Sequence, residues 1–466
     1  MKKLLIVLML VGLAACRPQG LQCDEGYIED NGVCVVDLAP CEDGLIEEDG
    51  QCVDAPLAAE EILLWELEKS FNMFWLLANT NEESDGYGLI TSRYPTNGSI
   101  ASIAGVGFGL AAIPIGVEMG FITYEEGQER ALKTLQSMSE LVRFHGFYYH
   151  FWDKASGTRY GSSEVSIIDT GLFLGGALTA GEYFGGDVKT VADDIYTGVD
   201  WTWYYNDTTN KFYMGYDRDE EQHFGSWNHV AEQLILYVLS AGTPNPDYRV
   251  GKEAYDRLDR LYGSYGGDEF IHSWFGSLFT YQFSHAFVDF RNLWDEDGVN
   301  WWDNSVAATL ANREYAIDYS STFKTFGENS WGMTAGDGPT GYSGFYGAAP
   351  SGNPNWTHVN DGTITVAGAI GSLPFAPELV SDAVLYFDTL DDLKGTFGFK
   401  DGYNLENPDD PWFATDSLGI DKGITVVMIG NYYTEVVWDS FMQSEYVQAG
   451  LDELGFTDVN PNATSE

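Results

Sequence analysis

SIASIAGVGFGLAAIPIGVEM, residues 99–119, is apolar on nearly every side and carries eight glycines or alanines. A helix of that composition has no polar face to offer water, so it is read as buried all round, its small residues letting neighbouring backbones approach. The next segment is of the opposite kind. Thr123 and Glu126 form a T-x-x-E capping box, after which Ala131, Leu132, Leu135, Met138, Leu141 and Val142 make a single apolar stripe. One inner helix is followed by one outer helix.

The alternation continues along the chain. Residues 166–184 are apolar throughout, and Val188, Val191, Ala192, Ile195, Tyr196 and Val199 form the stripe of the next outer helix. Inner segments are then expected at 227–240, 284–292, 363–370 and 424–441, and outer ones at 251–262, 303–316 and 377–390, with residues 56–79 as the first outer helix. Six such hairpins close into an all-α (α/α)6 barrel with parallel inner and antiparallel outer helices. Pro114 and the Gly-rich loops 264–284 and 330–360 interrupt the pattern.

Ahead of this domain, assigned to residues 56–466, the chain has two short parts. Two lysines, an apolar run from Leu4 to Leu13 and then Ala14-Ala15-Cys16 read as a secretory signal over residues 1–15. A cysteine directly after small residues resembles a bacterial lipobox, in which Cys16 becomes the lipid-carrying first residue; a plain signal peptide with an incidental cysteine is the alternative. Arg17 follows where aspartate tends to signal inner-membrane retention, which favours an outer-membrane lipoprotein facing the periplasm or the cell surface. Residues 16–55 then hold a tandem repeat, Cys23–Cys34 echoed by Cys41–Cys52 at an offset of eighteen residues. Four cysteines in an exported chain point to disulfides, with Cys23 joined to Cys34 and Cys41 to Cys52 as one of three pairings. Zinc is the weaker alternative, since the wide spacing and absence of nearby histidine do not suit a ribbon. The segment reads as a disulfide-stapled stalk.

The 466 residues carry 71 acids against 23 bases, a formal charge of −48. That makes a nucleic-acid backbone an unsuitable partner and a neutral polymer a suitable one, and it suits a saline habitat where salt screens self-repulsion. Aromatic residues make up 15% of the chain, more than a core requires, and such rings serve sugar clefts as platforms, although core packing is the default role of any single one.

If the inner helices run parallel, the loops feeding their N-terminal ends converge on one rim. Those loops hold Glu164, Asp169, Trp227, Glu232, Ser284, His285, Asp289, Asp361 and Asp421. Several acids on one rim suggest glycoside hydrolysis, in which one protonated carboxyl serves the leaving oxygen and another activates water. Glu232 stands one turn inside an otherwise apolar helix, where a glutamate is rarely buried unless paired or functional. Asp169 shares that argument. Asp361 suits an N-cap at least as well as a catalyst, Asp421 is open between the two roles, and Asp289 is read as a partner of Arg291 or of another base in the core. His150 and His285, among aromatics, read as hydrogen-bonded structural histidines. No metal signature is present, since His223 and His229 lack ligand spacing, and no cofactor is expected.

Ile100-Ala-Ser-Ile-Ala-Gly-Val-Gly-Phe-Gly-Leu-Ala-Ala112, Gly146-Phe-Tyr-Tyr-His-Phe151, Glu164-Val-Ser-Ile-Ile-Asp-Thr170, Tyr281-Gln-Phe-Ser-His-Ala-Phe-Val-Asp-Phe290, Trp331-Gly-Met-Thr-Ala335, Asp337-Gly-Pro339, Ser372-Leu-Pro-Phe-Ala-Pro-Glu378 and Gly419-Ile-Asp-Lys-Gly423 together resemble the glycoamylase-like domain. The blocks occur in order over essentially all of the chain after the stalk. That domain is similar to glycoside hydrolase family 144, (α/α)6 barrels that hydrolyse β-1,2-glucan, mostly endo-acting and with inversion; the older glucoamylase label implies α-1,4 cleavage instead. The resemblance implies Glu232 as general acid, Asp421 as general base, and Glu164, Asp169, Arg93, Phe108, His150, Trp331 and Tyr342 as substrate-contacting residues.

Three positions depart from the family pattern. Lys422 stands where glutamine is common, and Gly430 and Tyr433 replace a usual glutamate and arginine, a loss expected to remove an ion pair beside the base and to bear on endo against exo attack. Inversion requires carboxyls roughly 6.5–9.5 Å apart, with Asp421 ionised near neutral pH and a buried Glu232 holding its proton longer. The other readings are a surface glycan-binding lipoprotein on the same barrel, and an enzyme of another linkage or exo mode. The expected partner is a glucan; membrane contact is through the lipid alone, and the sequence does not specify an oligomeric state.

Overall fold

The computed structural model describes residues 27–30, 33–36, 45–48, 51–54, 58–354 and 358–462. The chain divides into two compact units, Met1–Leu57 and Ala58–Glu466. In the first, Tyr27–Asp30 pairs antiparallel with Val33–Val36, and Leu45–Glu48 pairs in the same way with Gln51–Asp54. Each repeat is thus a hairpin, with Cys34 opposite Glu29 and Cys52 opposite Glu47. The expected signal segment, Cys16, Cys23 and Cys41 lie outside the described residues.

The second unit is rich in helix. The first five helices are α1 (Ala59–Leu77), α2 (Ile103–Glu118), α3 (Tyr124–Glu140), α4 (Ile167–Phe184) and α5 (Gly186–Thr197). Every residue of α2 from Ile103 to Gly116 is buried, and the helix runs through Pro114. It lies against α4 with the backbones touching: a Cβ added to Gly176 would stand 1.8 Å from the carbonyl oxygen of Gly107. The Thr123–Glu126 box starts α3, with Thr123 N donating to Glu126 Oε2 (2.8 Å) and Glu126 N to Thr123 Oγ1 (3.2 Å). Only one face of α3 is buried, through Ala131, Thr134, Leu135 and Met138, and Val142 lies beyond the helix in solvent. The inner and outer reading therefore holds for these helices.

Later elements are α6 (Leu234–Gly242), α7 (Lys252–Tyr255), α8 (Trp301–Asp318), α9 (Val366–Ile370), α10 (Pro377–Asp388), α11 (Gly419–Thr434), α12 (Val436–Gln443) and α13 (Glu445–Glu453). The buried helices follow one another in space, α6 on α4, α4 on α2, α2 on α11 and α11 on α9. Four expected helices are shorter than their apolar runs. Residues 227–230 spend their backbone groups sideways, on Phe212, Asp259 and Trp274, so α6 begins only at Leu234. Residues 262–264 pair with 269–271, which leaves the expected 251–262 helix as the four residues of α7. The expected inner helix at 284–292 is a single 3-10 turn, Ser284–Ala286, and α9 has five residues. The last inner run begins five residues early, at Gly419, and breaks at Glu435, which turns left-handed (φ 56°). An outer helix that the sequence reading lacked, α13, packs on α6 through glycines: a Cβ on Gly450 would meet the carbonyl oxygen of Val238 at 2.0 Å. Among the described residues no helix is long and apolar enough to cross a membrane.

Short strands lead into the buried helices: Asn97–Ser102 into α2, Val165–Ser166 into α4, Ile364–Thr365 into α9 and Ser417–Leu418 into α11. Ser417–Leu418 pairs with Thr91–Tyr94, which continues through Asn97–Ser102 and Phe151–Asp153 to Thr158–Arg159 in one five-stranded sheet. This pairing carries residues far apart in sequence to one rim.

Candidate active site

The rim has two walls of carboxyls. On the first, Asp421 sits in the opening turn of α11, 7% exposed. Beside it is Asp401, whose main chain is fixed by Val366 N donating to Asp401 O (3.0 Å) and Asp401 N donating to Asp416 O (3.1 Å). Asp401 Oδ2 accepts the backbone N–H of Asp337 at 2.6 Å. Asp337 belongs to the strand Gly336–Gly338, which forms a hairpin with Gly341–Ser343. Arg93 grips this wall, donating through Nη1 and Nη2 to the two oxygens of Asp337 (2.5 and 3.0 Å) and through Nη1 to Asp416 (3.1 Å). Thr96 also donates to Asp416. Burial and the facing carboxyls push Asp421 well above the usual aspartate range, and burial pushes Asp401 up to about 6. Asp421, expected to stay ionised near neutral pH, is desolvated and has a second acid against it, both of which raise its hold on a proton.

Glu232 stands on the second wall. It lies in the turn just before α6 rather than one turn inside a helix, because residues 227–230 are paired laterally. Ser284 locks that turn, its Oγ donating to Glu232 O (2.5 Å) and accepting Ile235 N (3.0 Å). Burial, and to a lesser degree the charge of Asp169, push the Glu232 carboxyl up to about 7. Asp169 is in the first turn of α4, where Ser166 Oγ donates to its Oδ2 (2.5 Å). His150 Nε2 approaches Asp169 Oδ1 at 3.5 Å and its Nδ1 lies 2.8 Å from Glu164 Oε1. Burial alone would depress the imidazole, but these two acids outweigh it and raise His150; reciprocally, His150 overcomes burial to lower Glu164. His150 is thus hydrogen-bonded, as read, and lies between the two acids Glu164 and Asp169.

Tyr342, opposite Asp337 in the second strand of the 336–343 hairpin, is within electrostatic reach of both walls. The residue is 56% exposed, yet loss of solvent around the hydroxyl and the charges of Asp421, Asp401, Glu232 and Asp337 hold the phenol neutral to well above the usual tyrosine range. A ring both open to water and within reach of all four carboxyls stands in a cleft, where it offers a face to a sugar.

Among the expected substrate-contacting residues, Glu164, Asp169, Arg93, His150 and Tyr342 gather here. Phe108 and Trp331 do not: both are 0% exposed, and no face is open to a ligand. Phe108 packs on Phe283 and Phe287, and a Cβ on Gly423 would lie 2.4 Å from its ring, so it supports the start of α11 from behind. Other rim residues are structural. Arg291 forks onto Asp289 at 2.8 Å, His285 is enclosed and pushed down to about 3 by burial, and Asp361 accepts Thr363 N (3.0 Å) in a turn instead of capping α9. Gly430 and Tyr433 lie nine and twelve residues beyond Asp421, about 13 and 18 Å along α11. Gly430 faces Ile115, so the substitutions there are remote from the base. Among the described residues no group of three His, Cys, Asp or Glu side chains could hold a metal ion.

The sequence reading missed Asp401, Asp337 and Asp416 as site residues. Asp337 stood inside a quoted block, whereas Asp401-Gly402 and Asp416-Ser417 look like turns; only strand pairing shows that they back Asp421.

A carboxyl held near neutrality on one wall, a buried acid pair on the other and an aromatic platform between them define a glycoside hydrolase on a helical scaffold. Residues 225–445 match the Glycoamylase family, described as "Putative glucoamylase". A crystal structure from Bacteroides uniformis ATCC 8492 with the same description is 30% identical, with a TM-score of 0.77 over 88% of this chain and 99% of that one. The endo-β-1,2-glucanase of Chitinophaga pinensis, solved with sophorotriose and glucose, is 28% identical, with a TM-score of 0.75 over 86% of this chain and 99% of that one. An exo β-1,2-glucooligosaccharide sophorohydrolase (non-reducing end) of Parabacteroides distasonis is 27% identical over 442 residues, 86% of this chain; the match spans 58% of that relative's length. The chain belongs to the glycoamylase-like family.

Proposed function

We propose that this protein is an inverting glycoside hydrolase that cuts β-1,2-glucan into sophoro-oligosaccharides. What supports the reading is that Glu232 and Asp421 both lie within electrostatic reach of Tyr342, in a chain 28% identical to an endo-β-1,2-glucanase. Glu232, held up at about 7, is the acid that protonates the leaving oxygen, and Asp421 takes the proton of the attacking water. His150, between Glu164 and Asp169, offsets the negative charge beside Glu232. The scaffold is a six-hairpin (α/α)6 barrel, of which the run of packed buried helices α6, α4, α2, α11 and α9 is the supporting part. Cys16 carries the lipid that holds the enzyme to the outer membrane, and the repeat hairpins form the disulfide-stapled stalk. A second mode, release of sophorose from non-reducing ends, is favoured by the likeness to the sophorohydrolase.

The test is to incubate residues 23–466 with linear β-1,2-glucan and with β-1,3- and α-1,4-glucans, beside Glu232→Gln and Asp421→Asn. A ladder of sophoro-oligosaccharides from the wild type alone supports endo attack, and sophorose alone supports the exo mode. Turnover of another glucan but not this one overturns the linkage; retained binding without turnover makes the protein a glycan-binding lipoprotein.

A further inference from the structure

The buried oxygens of the base wall do not balance without an extra proton. Asp421 Oδ2, Asp401 Oδ1 and Asp416 Oδ1 are sealed from water, and among the described residues none receives a hydrogen bond, but Asp416 is held through its other oxygen by Arg93 and Thr96. Asp421 and Asp401 line one cavity of about 10 Å³ behind the site, together with Glu66, Lys400, Lys422 and Thr425. Room for about one water is the most this allows. A water donating to both oxygens would leave two adjacent carboxylates charged, with Asp337 as a third. The neighbouring cations are already engaged: Arg93 with Asp337 and Asp416, Lys422 with Glu66 (2.5 Å), and Lys400 with the carbonyl oxygen of Asp392 (2.7 Å). Tyr342 and Glu232 face the pair from the cleft and supply no positive charge. Arg93 acts on both aspartates by charge alone while its hydrogen bonds go to Asp337 and Asp416, and two like charges side by side without a hydrogen-bonded counter-ion disfavour double ionisation, so a proton between them is the arrangement that satisfies both oxygens.

We propose that Asp401 and Asp421 share one proton between Asp401 Oδ1 and Asp421 Oδ2, so that Asp401 is a positioning residue that holds the base in its singly charged form. The proposal rests on the hydrolase reading and supplies its missing part, a base that keeps one negative charge although it is buried. With Oδ2 engaged, Asp421 uses Oδ1 for water. As the water O–H bond breaks, its proton goes to Asp421 Oδ1 while the shared proton rests on Asp401. The water oxygen bonds to the anomeric carbon, the glycosidic C–O bond breaks, and the Glu232 proton goes to the departing oxygen. The pair then holds two protons and Glu232 none; one proton lost to solvent and one regained by Glu232 restore the start. Burial raises both aspartates, Asp401 raises Asp421 further, and the hydrogen bond with Asp421 lowers Asp401, an opposed pair of effects that agrees with one proton held between them.

The test compares Asp401→Asn, Asp401→Ala and Asp421→Asn. In Asp401→Asn the new amide oxygen accepts Asp337 N–H as Asp401 Oδ2 does, and the amide nitrogen donates to Asp421 where the shared proton lay. Asp401→Asn is therefore expected to keep kcat within about tenfold of wild type, and Asp401→Ala to lose about a hundredfold or more, the span of a charge-stabilising hydrogen bond. If asparagine and alanine lose activity equally, or neither loses any, the proposal is overturned. A carboxyl titration of protein labelled with 13C-aspartate reads the proton directly, without turnover. Two coupled steps are expected in the wild type, the upper one absent from both Asp401→Asn and Asp421→Asn. Survival of that step in Asp401→Asn overturns the proposal even in an active enzyme. A wild type that cleaves no glucan but shows the coupled steps instead removes the hydrolase reading and leaves the shared proton standing.

Discussion

Lys422 Nζ lies 2.5 Å from Glu66 Oε1, and the two side chains are 6% and 1% exposed. The pair joins α11, one residue past the base, to α1 on the outside of the fold. Glu66 also accepts Ser70 Oγ (2.9 Å) and the backbone N–H of Phe399 (2.8 Å), two residues before Asp401. The position at which this chain departs from glutamine thus ties together the segments that carry both members of the base wall.

Replacing Lys422 with methionine leaves Glu66 charged and without its counter-ion in the core. A loss of about 3–5 kcal/mol in unfolding free energy is expected, the usual result of removing one partner of a buried pair. Adding Glu66→Gln recovers part of the loss. Urea unfolding of the wild type, the single and the double variants checks this, and equal midpoints for wild type and Lys422→Met refute it.

The Glu232 carboxyl, pushed up to about 7 from an ordinary 4.5, makes stability depend on pH. The folded protein holds this proton more tightly than the unfolded chain does, so the stabilisation is complete below about pH 4.5 and is lost as pH rises through about 7. Glu232→Gln has no such loss. At pH 8 the variant is expected to be more stable than wild type by about 2 kcal/mol, discounted for partial exposure, and at pH 4 to be equal to it. Thermal melts at the two pH values measure the difference, and a variant less stable at pH 8 would contradict the assignment.

Gly176→Ala places a methyl 1.8 Å from Gly107 O, between two buried helices that have no room to part. A cost of about 2 kcal/mol or more is expected from overpacking. The same change at Gly98, where an added Cβ meets nothing within 4 Å, is expected to leave the melting temperature within about 1 °C. Calorimetry of the two variants side by side separates packing from loss of glycine as such.

Arg93→Lys keeps the charge and loses the fork. A lysine cannot span both oxygens of Asp337 and reach Asp416 as well, so Asp337 loosens and with it the N–H that orients Asp401. A fall in kcat of about tenfold or more with a smaller change in stability is expected. Steady-state kinetics beside a melt would show it, and an unchanged kcat would mean that Asp337 is held by its hairpin alone.

The sequence by itself determined the helical layering of residues 99–199, because a run without a polar face has nowhere to go except between other helices, and a one-faced stripe lies outside them. It also determined the capping box at Thr123 and the pairing of Asp289, and it made Glu232 stand out as an acid in an apolar run, whereas Asp421 was singled out only through the family resemblance. Helix lengths after residue 225 were decided by tertiary structure. There the backbone of residues 227–230 and 262–271 found partners in other segments, which an apolar pattern does not reveal. The same holds for the base wall. Asp337, Asp401 and Asp416 look like ordinary turn residues, and they meet only because Thr91–Tyr94 pairs with Ser417–Leu418 and Ile364–Thr365 with Gly402–Asn404. Burial was likewise a tertiary result. Phe108 became a support behind α11 and Trp331 was enclosed, and Asp421 became half of a proton-sharing pair, because desolvation and the nearness of a second charge belong to positions in space and not to residue types.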